Sequence, residues 1–157
     1  MQSTDQSPLL IRDARPEDFE RLHAIDRAAF PPELAYTRRE LALWIGSRGC
    51  RTWVAEAGGE VVGFAVACLE RRGLAHLATL DVAPERQRRG VGGRLLETAE
   101  AWLWEAGARE IALETVVGEA GARAFYERHG YRAVRRLPRY YRRGLDAWLM
   151  VKEREPG

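Results

Sequence analysis

Apolar positions along the 157-residue chain fall into short runs of helical spacing or of strand alternation, punctuated by glycine and proline. Leu9-Leu10-Ile11-Arg12 predicts a first strand. Pro16-Glu17-Asp18 predicts a helix start, with proline at the first position and acids near the positive end of the dipole. Phe19, Leu22, Ile25 and Ala29 supply its buried face. Phe30-Pro31-Pro32 ends it, and Thr37-x-x-Glu40 is a capping-box pattern that opens a second helix with Leu41, Trp44 and Ile45 on one side. Gly46 and Gly49 supply its stop. The segments 52–56 and 61–67 read as strands around a Gly58-Gly59 hairpin turn. A turn at Glu70-Arg71-Arg72-Gly73 leads into a third member of this group, Leu77 to Val82.

Pro84 ends that strand, because proline has no N–H to give a ladder. A basic, glycine-bearing turn follows, and then an amphipathic helix with Val91, Leu95, Leu96, Ala99, Trp102 and Leu103 on one face. Gly107 marks its end. Segment 111–115 is a fifth strand, Glu119 to His129 a short helix capped by Gly130, and segments 131–134 and 146–151 the last two strands. The order is β-α-α-β-β-β-α-β-α-β-β, a mixed α/β layout in which antiparallel strands lead into one parallel crossover through the central helix. There is no internal repeat and no linker, so residues 9–153 read as a single domain behind a disordered segment, residues 1–8.

The composition, 46% apolar and 31% charged, is that of a soluble globular protein. No apolar run approaches the ~20 residues of a membrane helix, and the N-terminus lacks the basic start and apolar core of a secretory signal. A cytoplasmic location and no membrane partner are the expectation. A net charge of +2 argues against nucleic acid as a partner, although every basic residue except Lys152 is arginine. Cys50 and Cys68 have neither metal nor redox spacing and read as buried thiols. His23, His76 and His129 form no metal-ligand pattern, so no metal is expected, and His129 reads as a helix-end residue near the negative end of the dipole.

The turn Gln87-Arg88-Arg89-Gly90-Val91-Gly92-Gly93 carries the chemistry. The first N–H groups of a helix have no intrahelical partner, and glycines let a ligand approach the backbone. With arginines alongside, this is an anion site suited to a phosphate. Neither the dinucleotide fingerprint G-x-G-x-x-G nor the triphosphatase loop G-x-x-x-x-G-K-[ST] is present. What stands here, Gln87-x-x-Gly90-x-Gly92 between a strand and a helix, resembles the [QR]-x-x-G-x-[GA] pyrophosphate loop of the GCN5-related N-acetyltransferases, and the order of elements resembles that family along essentially the whole chain. The resemblance implies their fold, a mostly antiparallel mixed sheet with helices on both faces and a splayed parallel pair at strands four and five. It implies acetyl-CoA as co-substrate and transfer of acetyl to a primary amine.

The C-terminal half is more specific. Leu113-Glu114, then Ala124-Phe125-Tyr126-Glu127-Arg128-His129-Gly130-Tyr131, then Tyr140-Tyr141-Arg142-Arg143-Gly144-Leu145-Asp146-Ala147 resemble the signatures of protein N-terminal acetyltransferases, the ribosomal-protein-alanine and archaeal enzymes in particular. In that likeness Glu114 is the general base, acting through a water, and Tyr126 the acid at the leaving thiolate. The backbone of Leu80, Asp81 and Val82 pairs with the pantetheine arm, and Gln87, Arg88, Arg89, Gly90, Val91, Gly92, Gly93 and Arg94 hold the pyrophosphate. Phe30, Pro31, Pro32, Tyr140 and Tyr141 line the acceptor groove. One position departs: the family's CoA-contacting turn asparagine is replaced by Glu119, and Gly121 weakens the short helix behind it. The residues leave open a small-molecule amine as acceptor, or a non-catalytic CoA-binding module. A nucleic-acid binder is a further alternative that the near-neutral charge disfavours. Monomer and homodimer are equally compatible.

Overall fold

In the computed structural model residues 7–156 are described. Seven strands form one sheet: β1 Leu9–Asp13, β2 Cys50–Ala57, β3 Glu60–Leu69, β4 Leu74–Val82, β5 Glu110–Val116, β6 Arg132–Leu137 and β7 Ala147–Glu153. Four helices connect them: α1 Phe19–Ala29, α2 Arg38–Gly46, α3 Val91–Glu105 and α4 Ala120–Arg128. The strand order is β1-β2-β3-β4-β5-β7-β6, and every neighbouring pair is antiparallel except β4 with β5. The expected mixed α/β layout and element order are found. The expectation for residues 1–6 lies outside the described residues.

Local chemistry explains the helix ends. Thr37 Oγ1 accepts from the Glu40 N–H at 3.1 Å and Glu40 Oε1 accepts from the Thr37 N–H at 2.9 Å, a closed capping box on α2. At the start of α3 the cap is Gly90, in the left-handed region at φ 83°, and no side chain caps the first N–H groups.

The central strands are buried on both faces, which is why β3 is an almost unbroken apolar run. Phe64, Val66 and Val54 face α1 and α2 with Leu22, Ile25 and Leu41. Ala65, Ala67, Leu77, Ile111 and Leu113 face α3 through Leu95, Leu96, Ala99 and Leu103. Helices therefore cover both faces. At ~25 cal/mol per Å² of apolar area removed from water, these two layers are the main source of stability. No helix of the described residues is long and apolar enough to cross a membrane.

Two sequence expectations change. Strands β2 and β4 begin earlier than the pattern implied, at Cys50 and Leu74. The cysteines are not free thiols: Cys50 and Cys68 face each other in the β2–β3 register and form a disulfide. Eighteen residues of separation carry no redox spacing, and only the hairpin pairing brings the two sulfurs together.

Candidate active site

The parallel strands part in the middle of the sheet. β4 pairs with β5 over three positions, Leu74–Glu110, Ala75–Ile111 and His76–Ala112. Beyond His76, β4 keeps its pairing to β3 (Leu80 opposite Ala65, Val82 opposite Gly63) and has no partner on the β5 side. The backbone of Leu80, Asp81 and Val82 thus has an open edge facing the split. Gly63 allows this close packing: a Cβ there would stand 2.8 Å from the Asp81 carbonyl oxygen.

The basic turn lies at the end of that edge. Gln87 Nε2 donates to the Val82 carbonyl at 3.1 Å, tying the turn to the strand. Arg88 sits at φ 64° and Gly90 at φ 83°, so the turn is left-handed where it enters α3. A Cβ on Gly90 would meet nothing within 4 Å, and Arg88 and Arg89 are exposed. An open, uncapped helix N-terminus flanked by arginines fits a pyrophosphate. Gly92 and Gly93 also have a packing role. Their missing side chains would meet the Phe125 ring at 3.4 Å and His129 Nε2 at 3.4 Å, so they let α4 approach α3. Val91 is core, and Arg94 is exposed on the first turn.

On β5 the side chains of Ile111, Leu113 and Thr115 point towards α3, so Glu114 points to the α1–α2 face. There it meets a histidine to which the sequence pattern assigns no role. His76 Nε2 lies 2.8 Å from Glu114 Oε1 and 3.1 Å from Oε2, with the Trp44 ring against its imidazole. The Tyr140 hydroxyl donates to the same Oε1 at 2.8 Å. Burial works to raise the Glu114 pKa, but the His76 hydrogen bond and charge, with the Tyr140 bond, hold it below the usual carboxylate value. Burial works to lower His76, and the bond and charge of Glu114 lift it above its ordinary value. Burial and the bond to Glu114 push Tyr140 up. The result is a carboxylate kept ionised on a half-buried surface. A cleft of about 400 Å³ runs beside it over β5, β7 and β6, with Glu70, Glu110 and Arg135 among its lining groups.

Of the acceptor candidates, Tyr140 belongs to this trio and Tyr141 packs on it, while Phe30, Pro31 and Pro32 lie in the loop to which the β6–β7 loop is bonded. Phe30 ends α1, and the amides of Leu34 and Ala35 both donate to the Pro31 carbonyl at 2.9 Å, which folds Pro31 and Pro32 into a tight loop. Tyr140 and Tyr141 pack edge to face, 4.9 Å between centroids. Arg142 Nη1 donates to the Ala35 carbonyl at 3.1 Å and also pairs with Glu40, and Arg143 Nη1 donates to Glu33 at 2.9 Å. These bonds join the β6–β7 loop to the α1–α2 loop.

Tyr126 stands apart from Glu114. It lies on α4, edge to face with Phe125 and Tyr131, in the layer on the α3 side of the sheet. Burial first, then the charge of Asp81, pushes its phenol pKa up. Glu119 is the residue before α4; its amide donates to the Val116 carbonyl at 3.1 Å and its side chain lines a cavity of about 210 Å³ with Arg123 and Trp148. The Asp81 side chain turns away from the split and is buried beneath α1, because a bulge inverts the facing of β4 before it.

The acetyltransferase (GNAT) family model matches residues 18–131. An uncharacterized N-acetyltransferase of Methanocaldococcus jannaschii is 35% identical over 147 residues, covering 93% of this chain and 92% of that protein. An N-alpha-acetyltransferase of Sulfurisphaera tokodaii is 29% identical over 155 residues, covering 90% of each. Among solved structures, Ard1 from Thermoplasma volcanium matches with a TM-score of 0.86 over 94% of this chain and 99% of its own, at 24% identity, a likeness of fold.

Proposed function

We propose that this chain, which belongs to the acetyltransferase (GNAT) family, transfers acetyl from acetyl-CoA to the N-terminal α-amine of a protein. The observation that carries the reading is the ionised Glu114 carboxylate, held by His76 and Tyr140 on the α1–α2 face of the split. The name of the Sulfurisphaera tokodaii relative, an N-alpha-acetyltransferase, supports an α-amine as acceptor.

In this reading the two substrates enter from opposite faces. Acetyl-CoA lies on the α3–α4 side with its pyrophosphate on Gly90 and the first turn of α3, and its pantetheine pairs with the free edge of Leu80 and Val82 as an added strand. The acceptor lies between the Phe30–Pro32 loop and Tyr140–Tyr141. A protein α-amine has an unperturbed pKa of ~8, so a fraction is neutral at pH 7. That nitrogen attacks the thioester carbonyl carbon and gives a tetrahedral adduct whose nitrogen is far more acidic than the free amine. A carboxylate of low pKa suffices to take this proton. Glu114 Oε2, which accepts only the longer His76 contact, has lone pairs free for a bridging water. The C–S bond then breaks, the carbonyl re-forms, and the thiolate takes a proton from the Tyr126 hydroxyl. A backbone N–H near Val82 polarises the carbonyl. Overall one ammonium and one thioester give an amide, a thiol and one released proton.

The test is a mixed pool of peptides with free N-termini, N-blocked lysine peptides, polyamines and amino acids, incubated with acetyl-CoA and read by mass spectrometry. Acetyl on free α-amines is expected, with a lysine ε-amine (unperturbed pKa ~10.4) disfavoured. Acetyl confined to the small amines overturns the protein substrate. The absence of any acetyl product overturns the enzyme reading.

A further inference from the structure

A pair of aspartates under the acceptor loop has no part in the chemistry above. Asp26 on α1 and Asp81 on β4 are each 1% exposed. Their meeting comes from a bulge. Val66 pairs with Thr79 and Ala67 with Leu77, so Ala78 is an extra residue on β4 and the facing of the strand inverts beyond it. His76 faces α1 and α2 before the bulge; after it Thr79 and Asp81 do, while Leu80 and Val82 turn to the α3 layer.

The contacts around the pair are specific. Thr79 Oγ1 donates to Asp81 Oδ1 at 2.5 Å. The Tyr36 amide donates to Asp26 Oδ2 at 2.6 Å, and the Tyr36 hydroxyl donates to the Ala78 carbonyl at 3.0 Å. The remaining oxygens, Asp26 Oδ1 and Asp81 Oδ2, are buried and take no donor from the rest of the described residues. The two carboxyls are within hydrogen-bonding reach of each other. Two carboxylates cannot hydrogen-bond without a proton, and two buried like charges in contact cannot both be ionised. The groups that feel this charge are phenols: Tyr36 from the loop after α1 and Tyr126 from α4.

We infer that Asp26 and Asp81 share one proton across their facing oxygens, and that this hydrogen bond positions the acceptor loop, residues 30–36, over the split strands. The path is short: β4 holds Asp81, Asp81 holds Asp26, and Asp26 holds the Tyr36 N–H at the end of the loop. Asp26 and Asp81 are thus positioning residues, and their effect on turnover rests on the acceptor role proposed for this loop.

Three readouts test the pair, two of which need no turnover. The infrared spectrum at pH 7 is expected to show the carbonyl stretch of a protonated carboxylic acid, and Asp81→Asn and Asp26→Asn are each expected to remove it. An asparagine amide can donate the same bond without a titrating proton. The sign of the stability effect follows. Burial, then Asp26, raises Asp81 well above 3.8, so the folded protein keeps a proton that the unfolded chain releases above that pH. Wild-type stability therefore loses up to about tenfold in the folding equilibrium per pH unit relative to Asp81→Asn as pH rises from about 4. In hydrogen exchange, the Tyr36 amide is expected to exchange about tenfold faster in Asp81→Leu than in Asp81→Asn. In steady-state assays, Asp81→Leu is expected to raise the acceptor KM more than it lowers kcat, and Asp81→Asn to bring that KM back. Absence of the acid band in the wild type overturns the shared proton, as do melting curves for Asp81→Asn that stay parallel to the wild type across pH. Equal Tyr36 exchange in Asp81→Leu and Asp81→Asn overturns the positioning role. If the band, the pH slope and the exchange behave as stated but no α-amine is acetylated, the pair stands and the acceptor assignment fails.

Discussion

His76 decides what Glu114 can be. Without it, a carboxyl with most of its surface covered would drift up towards protonation; with it and Tyr140, Glu114 stays ionised below its ordinary value of 4.5. The rate of the wild-type enzyme is therefore expected to fall between pH 8 and 6 as the acceptor amine, unperturbed at ~8, becomes protonated, while protonation of His76, raised above 6.5, only strengthens its hold on the ionised Glu114. His76→Phe removes the donor and leaves burial unopposed, so the Glu114 pKa rises. The ratio of wild-type to His76→Phe kcat should widen as the pH drops from 8 to 5, which a pH–rate profile at saturating acceptor will show. Glu114→Gln, which cannot accept the proton at any pH, should lose ~100-fold or more in kcat throughout. Glu114 was legible in the sequence because a motif surrounds it. His76 was not, because it is 38 residues distant and its partner is set by the short parallel pairing of two strands, which no local spacing records. Asp81 reads in sequence as part of the cofactor edge; its backbone lies on the open edge of β4, but a bulge at two small residues, Ala78 and Thr79, sends the side chain to the other face.

The element order was legible because each helix carries its own punctuation: the Thr37–Glu40 box, Pro16, Gly107 and Gly130. The β2–β3 hairpin and the parallel crossover of strands four and five were legible as well, but contacts between helices were not, and the glycines make the point. Gly90, Gly92 and Gly93 look alike in sequence, yet Gly90 opens onto space while the other two let α4 reach α3. The same geometry predicts opposite outcomes for two glycines elsewhere. Gly121 lies inside α4 with nothing within 4 Å of where an alanine methyl would stand and no positive φ, so Gly121→Ala should stabilise by ~0.5–1 kcal/mol through backbone entropy. For a chain of this length that is a rise in Tm of ~1–4 °C. Gly63→Ala places a methyl 2.8 Å from the Asp81 carbonyl oxygen and against Leu95 and Val91, where strand, helix and sheet neighbours are all fixed. It should cost ~1–3 kcal/mol and disturb the free edge of β4 at the same time. Calorimetry of the two variants against the wild type checks both signs.

Across the whole molecule, the α1–α2 side of the split, where the acceptor is proposed to bind, is assembled from segments more than a hundred residues apart. Arg142 reaches the Ala35 carbonyl and Glu40, and Arg143 reaches Glu33, so the last loop of the chain is fastened over the first. Both arginines are largely exposed, and exposed ion pairs contribute only ~0–1 kcal/mol each. The fastening is therefore too weak to hold the fold together, whose stability lies in the two buried layers. Its energy is comparable instead with the difference between an ordered and a loosened pair of loops. Arg142→Ala with Arg143→Ala should accordingly lower Tm by no more than ~4–8 °C. The acceptor KM should rise by about five- to tenfold, the equivalent of ~1–1.4 kcal/mol, with a smaller change in the KM for acetyl-CoA, which the proposed arrangement places on the opposite face. Added salt should raise the acceptor KM of the wild type and narrow its difference from the double variant, since screening weakens the same pairs. Steady-state kinetics with each substrate varied at low and high ionic strength measures all four quantities. An equal rise in both KM values would place the arginines on a common structural support for the two sites, whereas the split between them locates the fastening on the acceptor face alone.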